Sequence, residues 1–400
     1  MNKQTVRDID LAGKRVLVRV DYNVPMKDGT VADDFRIRAG LPTLQYLLDQ
    51  GCSLVLLSHL GEPKGAPDPA YSLRPVAAKA EQLLGRPIRF YDDCTGSDMQ
   101  AAAAALKGGE VIMGENVRFH AEELSADEGF ARELAKLGEV YVNDAFAVDH
   151  RDQASVSTVA KFLPAVAGLL VEKEVDYIQG AIDTPNRPLV AIIGGAKVST
   201  KIEILRHLIP KVDVLVLGGA MANTFFLAQN KTVGKSLVEF DQVETAKELL
   251  DLAQRENTEL ILPAEVVVSR SLEAPKDQHV TKPGMIKDDE YVVDATPDLA
   301  VRLGTAVEEF LDFDHKCTVI WNGPLGLTEV SDFAQGSLAM ADAVVKLPGV
   351  TSIIGGGDTA AFLDQAGRHD QFTWVSTGGG ASLELLAGKP LPGVTALHDK

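Results

Sequence analysis

The segment Leu189-Val190-Ala191-Ile192-Ile193-Gly194-Gly195-Ala196-Lys197 decides the fold of this 400-residue chain. Five apolar residues run without a polar interruption, followed by two glycines and a lysine. A strand with one wet face alternates apolar and polar residues. An unbroken apolar run is buried on both faces, as in a parallel sheet covered by helices. Glycines at its end mark a tight turn, and open α/β sheets bind ligands just beyond the carboxyl ends of their strands.

The same pattern recurs outward in both directions. Short apolar, β-branched runs lie at 16–20, 54–57, 111–113, 140–142, 212–217, 260–262, 318–321, 352–354 and 372–375. Segments of helical spacing separate them, at 38–49, 73–84, 126–137, 241–254 and 296–310, with an alanine-rich helix at 101–105. Strands alternating with helices predict an α/β protein with parallel sheets. The runs fall into two sets, which divides the chain into Rossmann-like domains at 1–168 and 169–380. A helix at about 164–182 links them, and a two-proline loop at 183–188 serves as the hinge. The segment 381–400 is too short for a domain and must dock on one.

Composition narrows the function. With 57 acidic and 39 basic residues the net charge is −18. Such a chain is a poor general binder of nucleic acid or anionic membrane, so an anion site has to be a local basic cluster. No apolar stretch is long enough to span a bilayer, and no leader-like segment opens the chain. Cys52, Cys94 and Cys317 match no zinc spacing, which suits free thiols in a reducing, cytoplasmic setting. Cys52 reads as a core residue. No Cys/His metal cluster is expected.

The residues after each strand carry the chemistry. In the first half, Asp21, Asn23, His59, Arg118 and Arg151 follow strands, and Arg36 joins them from a nearby loop. Guanidinium forks suit phosphate and carboxylate bidentately, so this set predicts a site for a small phosphorylated acid. Arg19 lies within a strand and is expected to form a structural ion pair. In the second half the endings are glycine-rich: Gly194-Gly195, Gly218-Gly219, Asn322-Gly323, Gly355-Gly356-Gly357-Asp358-Thr359 and Gly378-Gly379-Gly380. They predict a nucleotide cradle in which backbone N–H groups approach phosphates at helix starts. Lys197 and Lys201, four apart at a helix start, are expected to share a face toward those phosphates. Asp358 is placed to hold Mg²⁺. Gly234-Lys235-Ser236 is not a P-loop, because Gln229 stands where the first glycine is required, and no dinucleotide fingerprint follows any strand. An anion basket in one domain and glycine loops in the other suggest phosphoryl transfer with domain closure.

Several motifs also match a known family. Val16-Leu17-Val18-Arg19-Val20-Asp21-Tyr22-Asn23-Val24-Pro25 resembles the opening signature of the phosphoglycerate kinases. So do Leu57-Ser58-His59-Leu60-Gly61, Glu115-Asn116-Val117-Arg118-Phe119, Gly194-Gly195-Ala196-Lys197-Val198, Trp321-Asn322-Gly323-Pro324, Gly355-Gly356-Gly357-Asp358-Thr359 and Ser376-Thr377-Gly378-Gly379-Gly380-Ala381-Ser382. The resemblance spans essentially the whole chain in order. It implies reversible transfer from 1,3-bisphosphoglycerate to ADP, giving 3-phosphoglycerate and MgATP; each half looks able to close its own core, so a monomer is expected. It implies that Asp21, Asn23, Arg36, His59, Arg118 and Arg151 bind the triose acid. It places Lys201, Glu329, Gly356, Gly357, Asp358 and Thr359 at the nucleotide, with Glu329 on the ribose, and the glycine-rich endings add Gly194, Gly195, Gly218, Gly219 and Asn322 to that cradle. Arg36, Lys197, Lys201 and the helix start at Gly357 would serve the transferring group, and Asp358 the metal. It also implies that the C-terminal segment returns to the first domain.

The chain departs from the family pattern in three places. Glu62 stands where the family usually has an arginine, so that arginine's role is not carried over, and Lys64 is the expected substitute. Asp149 and Asp152 flank Arg151 and are expected to weaken its phosphate contact. Ala295-Thr296-Pro297 lacks the usual Gly-Pro of the nucleotide pocket.

Overall fold

The computed structural model describes residues 1–400. Its packing separates two compact units, Met1–Asp176 with Pro390–Lys400, and Tyr177–Lys389.

The first unit is built on six parallel strands in the order Ile88–Tyr91, Val111–Gly114, Ser53–Leu57, Arg15–Val20, Val140–Asp144 and Ala165–Ala167. Every residue of Ser53–Leu57 and Val140–Asp144 is buried, as the apolar runs 54–57 and 140–142 within them require. Val16, Val18 and Val20 pack with Ile37, Leu44 and Leu47 of the helix Phe35–Asp49. Val16 pairs with Leu54 on one side and Val140 on the other. The chain therefore leaves this central strand toward one edge and later returns to its opposite side. Such a switch opens a crevice at the carboxyl ends, and Asp21 begins there.

The second unit repeats the plan, in the order Glu259–Ile261, Val214–Leu217, Leu189–Ile193, Cys317–Asn322, Val350–Gly355 and Trp374–Val375. Its switch falls beside Leu189–Ile193, directly before Gly194. A small antiparallel sheet, His279–Thr281, Val266–Ser269 and Tyr291–Ala295, is an addition the sequence reading did not anticipate. It has its own apolar cluster around Phe226, Val268 and Ile286. The strand Ile88–Tyr91 was also not anticipated.

The linking helix differs from the expected 164–182. It spans Leu169–Asp183, and Ala165–Ala167 is a strand. Small apolar residues after Pro164 fit either state, and a cap decides between them. Leu170 N donates to Asp144 Oδ1 at 2.9 Å and Leu169 N to Thr43 Oγ1 at 2.9 Å, which fixes the helix start at Gly168. A Cβ on Gly168 would lie 2.1 Å from Asp144 Oδ1, so only glycine fits. The tail differs as well. The helix Gly379–Leu386 belongs to the second unit, and only Pro390–Lys400 packs with the first. Gly393 N donates to Asp149 O at 2.9 Å, His398 N to Ala165 O at 3.0 Å, and Lys3 Nζ to Leu397 O at 2.7 Å.

Candidate active site

In the first unit, backbone and side chains lock the strand ends together. Tyr22 N donates to Ser58 Oγ at 2.9 Å, and Gly61 N to Asn23 Oδ1 at 2.9 Å. Asn116 Nδ2 donates to Leu60 O at 2.8 Å, and Asn116 Oδ1 accepts from Arg118 N at 3.0 Å. On this frame Arg36 Nη1 donates to Asn23 O at 2.8 Å and sits 3.2 Å from Asp21 Oδ2. Arg36 lies in the first turn of a helix, not in a loop, because the helix begins at Phe35.

Arg118 is 1% exposed, and its Nη1 donates to Gly61 O at 2.8 Å. Its Nε and Nη2 are buried with no acceptor. Enclosed guanidinium donators left unpaired are costly, and an oxyanion is what would pair them. The neutral His59 reports the same field. Burial first, then the charges of Arg19, Arg118, Arg36 and Arg151, hold its pKa well below the ordinary 6.5. With that proton absent, the 3.9 Å approach of His59 Nδ1 to Asp21 Oδ1 is not an ion pair. Asp21, Asn23, Arg36, His59, Arg118 and Arg151 thus share one end of the sheet.

Three expectations for this unit change. Arg19 forms no direct ion pair. Its Nε donates to Ser155 Oγ at 2.8 Å, and Ser155 Oγ in turn donates to Glu123 Oε1 at 2.6 Å, so a hydroxyl relays the charge. Asp149 and Asp152 do not crowd Arg151. Asp149 turns inward to accept from Asn143 Nδ2 at 2.7 Å, and burial pushes its pKa up to about 8, while Asp152 accepts from Ser157 Oγ. The carboxylate on Arg151 is Glu62 instead, at 3.2 Å, and the same Glu62 Oε1 is 2.9 Å from Arg118 Nη1. Lys64, the expected substitute, is exposed and pairs with nothing. The fold also gathers Asp93, Cys94 and His120 with ligand atoms within 4.8 Å, which sequence separation concealed. Asp93 Oδ1 is already engaged by Thr95 N and His120 Nε2, each at 3.1 Å, and burial holds Cys94 as a thiol, so this is a closed structural cluster. Cys52 is core, as expected, with its thiol on Leu11 O.

The second unit carries two adjoining cavities. The larger, about 440 Å³, has mainly apolar walls from Leu237, Leu272, Tyr291 and Leu325, with Glu329 and Asp358 at polar positions. The smaller, about 290 Å³, is lined by Lys197, Lys201, Asn322, Gly356, Gly357 and Thr359 among others. Asp358 and Gly195 line both. An apolar pocket beside a cationic one suits a base and its phosphates.

The glycines work differently from expectation. The amides of Gly194, Gly195, Gly218 and Gly219 donate to the carbonyls of Asn322, Pro324, Ile193 and Leu325, at 2.9 to 3.1 Å, so they are not free for phosphate. They permit close backbone packing. A Cβ on Gly194 would lie 2.2 Å from Pro324 O, and one on Gly219 (φ +66) 2.6 Å from Gly195 O. The phosphate-type donors are instead at the start of the helix Gly357–Gln365, where Gly356 (φ +92) supplies no side-chain cap and a Cβ on Gly357 would meet open space. The first-turn amides of a helix have no internal acceptor and carry partial positive charge. Thr359 Oγ1 is committed to Gly323 N at 2.7 Å.

Lys197 and Lys201 do not lie four apart on a helix, because the helix is Ile202–Leu208 and Lys201 only caps it. They nevertheless line the same cavity. Lys201 Nζ donates to Asn322 Oδ1, and burial draws its pKa down to about 8, with Asp358 opposing the shift. Gly234-Lys235-Ser236 forms a turn whose Lys235 N donates to Glu290 O, not a phosphate loop.

An anion basket on one α/β unit and a cationic nucleotide-type cavity on the other define a phosphotransferase. Comparisons with known proteins agree. The sequence profile described as phosphoglycerate kinase matches residues 6–389. The phosphoglycerate kinases of Moorella thermoacetica and Chloroflexus aurantiacus are each 49% identical, with 100% of both chains covered. A solved phosphoglycerate kinase from Coxiella burnetii superposes with TM-score 0.88 at 38% identity, covering 98% of each chain. One from Pyrococcus horikoshii gives 0.84 at 29% identity over the same share. The chain belongs to the phosphoglycerate kinase family.

Proposed function

We propose that this chain catalyses reversible phosphoryl transfer between 1,3-bisphosphoglycerate and ADP, yielding 3-phosphoglycerate and MgATP. The observation that carries the reading is the buried Arg118 with two unpaired donors, set among Arg36, Arg151 and neutral His59. Arg118 and Arg151 take the phosphate of the triose acid. Asp21 and Asn23 orient Arg36 toward its carboxyl end.

The transferring group is metaphosphate-like, so catalysis is positioning and charge stabilisation. Arg36, Lys197, Lys201 and the helix start at Gly357 supply that charge. The acceptor carboxylate is already an anion, so no general base is needed. His59, held neutral, is suited to hydrogen bonding and not to proton abstraction. In the second unit the apolar cavity takes the base, Glu329 the ribose and the Lys201 end the phosphates. Asp358 fits Mg²⁺, which is usually held by one or two carboxylates together with substrate phosphates, because its side of the wall is common to both cavities. When bound, the ion offsets charge on the nucleotide phosphates.

No helix is long and apolar enough to cross a membrane, and we read the protein as a cytoplasmic monomer that binds neither nucleic acid nor lipid. A coupled assay with 3-phosphoglycerate, MgATP and a downstream NADH-consuming reductase tests the activity. Absence of NADH oxidation above an enzyme-free control rejects it. Glu62 beside the arginines favours one alternative, a kinase for a different small carboxylic acid, and a panel of such acids in the same assay separates the two.

A further inference from the structure

Position 62 lies where the loop after the strand Ser53–Leu57 meets the anion basket. Gly61 fixes it there. Its amide donates to Asn23 Oδ1, its carbonyl accepts from Arg118 Nη1, and its φ of +60 with Tyr71 only 2.3 Å from a would-be Cβ leaves no room for another residue. Pro63 is buried on the far side. The glutamate between them is exposed, at 66% of its side chain, yet one oxygen, Oε1, lies 2.9 Å from Arg118 Nη1 and 3.2 Å from Arg151 Nη1.

A single oxyanion bridging two guanidinium groups is the arrangement a phosphate oxygen adopts. Glu62 fills it only in part. Arg118 Nε and Nη2 remain buried and unpaired, so the carboxylate leaves unused the donors that a larger oxyanion would engage. Its own hold is limited, since a carboxylate two-thirds open to water is screened and keeps hydration that competes with the two arginines. A doubly charged phosphate with three oxygens can outcompete it.

We propose that the Glu62 carboxylate is a tethered competitor for the anion site between Arg118 and Arg151, displaced when the phosphate of the acid substrate binds. This rests on the reading of that basket as the acid-substrate site. Occupied by Glu62, the two arginines are kept paired and ordered in the free protein. The same occupancy lowers affinity for any incoming anion and selects for dianionic phosphate over singly charged carboxylates.

The test uses the full chain with saturating MgADP, so that the nucleotide cavity is filled. Inorganic phosphate is titrated calorimetrically into the wild type, Glu62→Gln and Arg151→Met. Glu62→Gln is expected to bind phosphate roughly 3–10-fold more tightly, the size of removing one solvent-screened competing carboxylate. Its KM for 3-phosphoglycerate should fall by a similar factor while its KM for MgATP stays put. Unchanged or weaker phosphate binding in Glu62→Gln overturns the proposal and makes Glu62 a mere support for the arginines. The Arg151→Met arm judges the underlying reading separately: if it alters neither phosphate binding nor the KM for 3-phosphoglycerate, the basket is not the acid site.

Discussion

Arg19 Nη2 stands 3.3 Å from Nδ1 of His59, and both side chains are buried. A permanently charged guanidinium at that distance forbids a second charge on the ring. With Arg118, Arg36 and Arg151 adding to the field, His59 is held neutral through the range in which an exposed histidine protonates.

The imidazole resonances of His59 should therefore show no titration near pH 6.5. The sign for stability follows from linkage. The unfolded chain takes up a proton near pH 6.5 and the folded ring does not, so this group lowers stability as pH falls below that value. A His59 titration midpoint near 6.5 would show that the arginine field does not reach it.

Arg36 is aimed by Asn23 O and Asp21, and is expected to contact the group in transfer. Arg36→Ala should lower kcat by about 10²–10³, the usual loss for one preorganised charge donor. Steady-state kinetics decide this, and near-wild-type turnover would remove Arg36 from the catalytic set.

Lys201 has its pKa drawn down to about 8 by burial, so its ammonium is lost on the mildly alkaline side. The kcat/KM for MgATP should fall as pH rises through about 8, because the cation that meets the phosphates disappears. In Lys201→Arg, which cannot deprotonate there, that alkaline limb should vanish even if the absolute rate drops. A limb identical in both proteins would assign it to another group.

Asp149 carries the opposite sign. Burial raises its pKa from 3.8 to about 8, so the folded state holds a proton that the unfolded state releases. Its contribution is complete below about pH 4 and is lost as pH rises toward 8. Asp149→Asn keeps an oxygen for Asn143 and removes the ionisation. It should raise stability at pH 9 relative to the wild type by roughly 1–3 kcal/mol, read from urea unfolding. Parallel stability–pH curves for the two proteins would exclude it.

The parts of the fold legible in the sequence were those that physics writes locally. Unbroken apolar runs such as 189–193 and 214–217 need burial on both faces, and the structure makes them inner strands of parallel sheets. Ala165–Ala167 was not legible, since these three apolar residues become a strand only through pairing with Tyr141–Asn143, while the cap at Asp144 and Thr43 starts the helix after them. The site residues could be picked out as polar groups following strands. Their commitments could not. That Gly194 and Gly219 spend their amides on other loops, or that Asp149 faces inward, depends on neighbours distant in sequence. Glu62 was recognised as a departure from the family pattern, but only the structure shows which arginines it meets.

The docking of Pro390–Lys400 onto the first unit has a consequence for synthesis. Every residue of the second unit is made before the segment that completes the first. A chain that ends at Lys389 therefore holds the whole of the second unit and lacks only the piece that closes the first. Such a truncated chain, once released, should carry a native second unit beside a first unit that protease cuts readily.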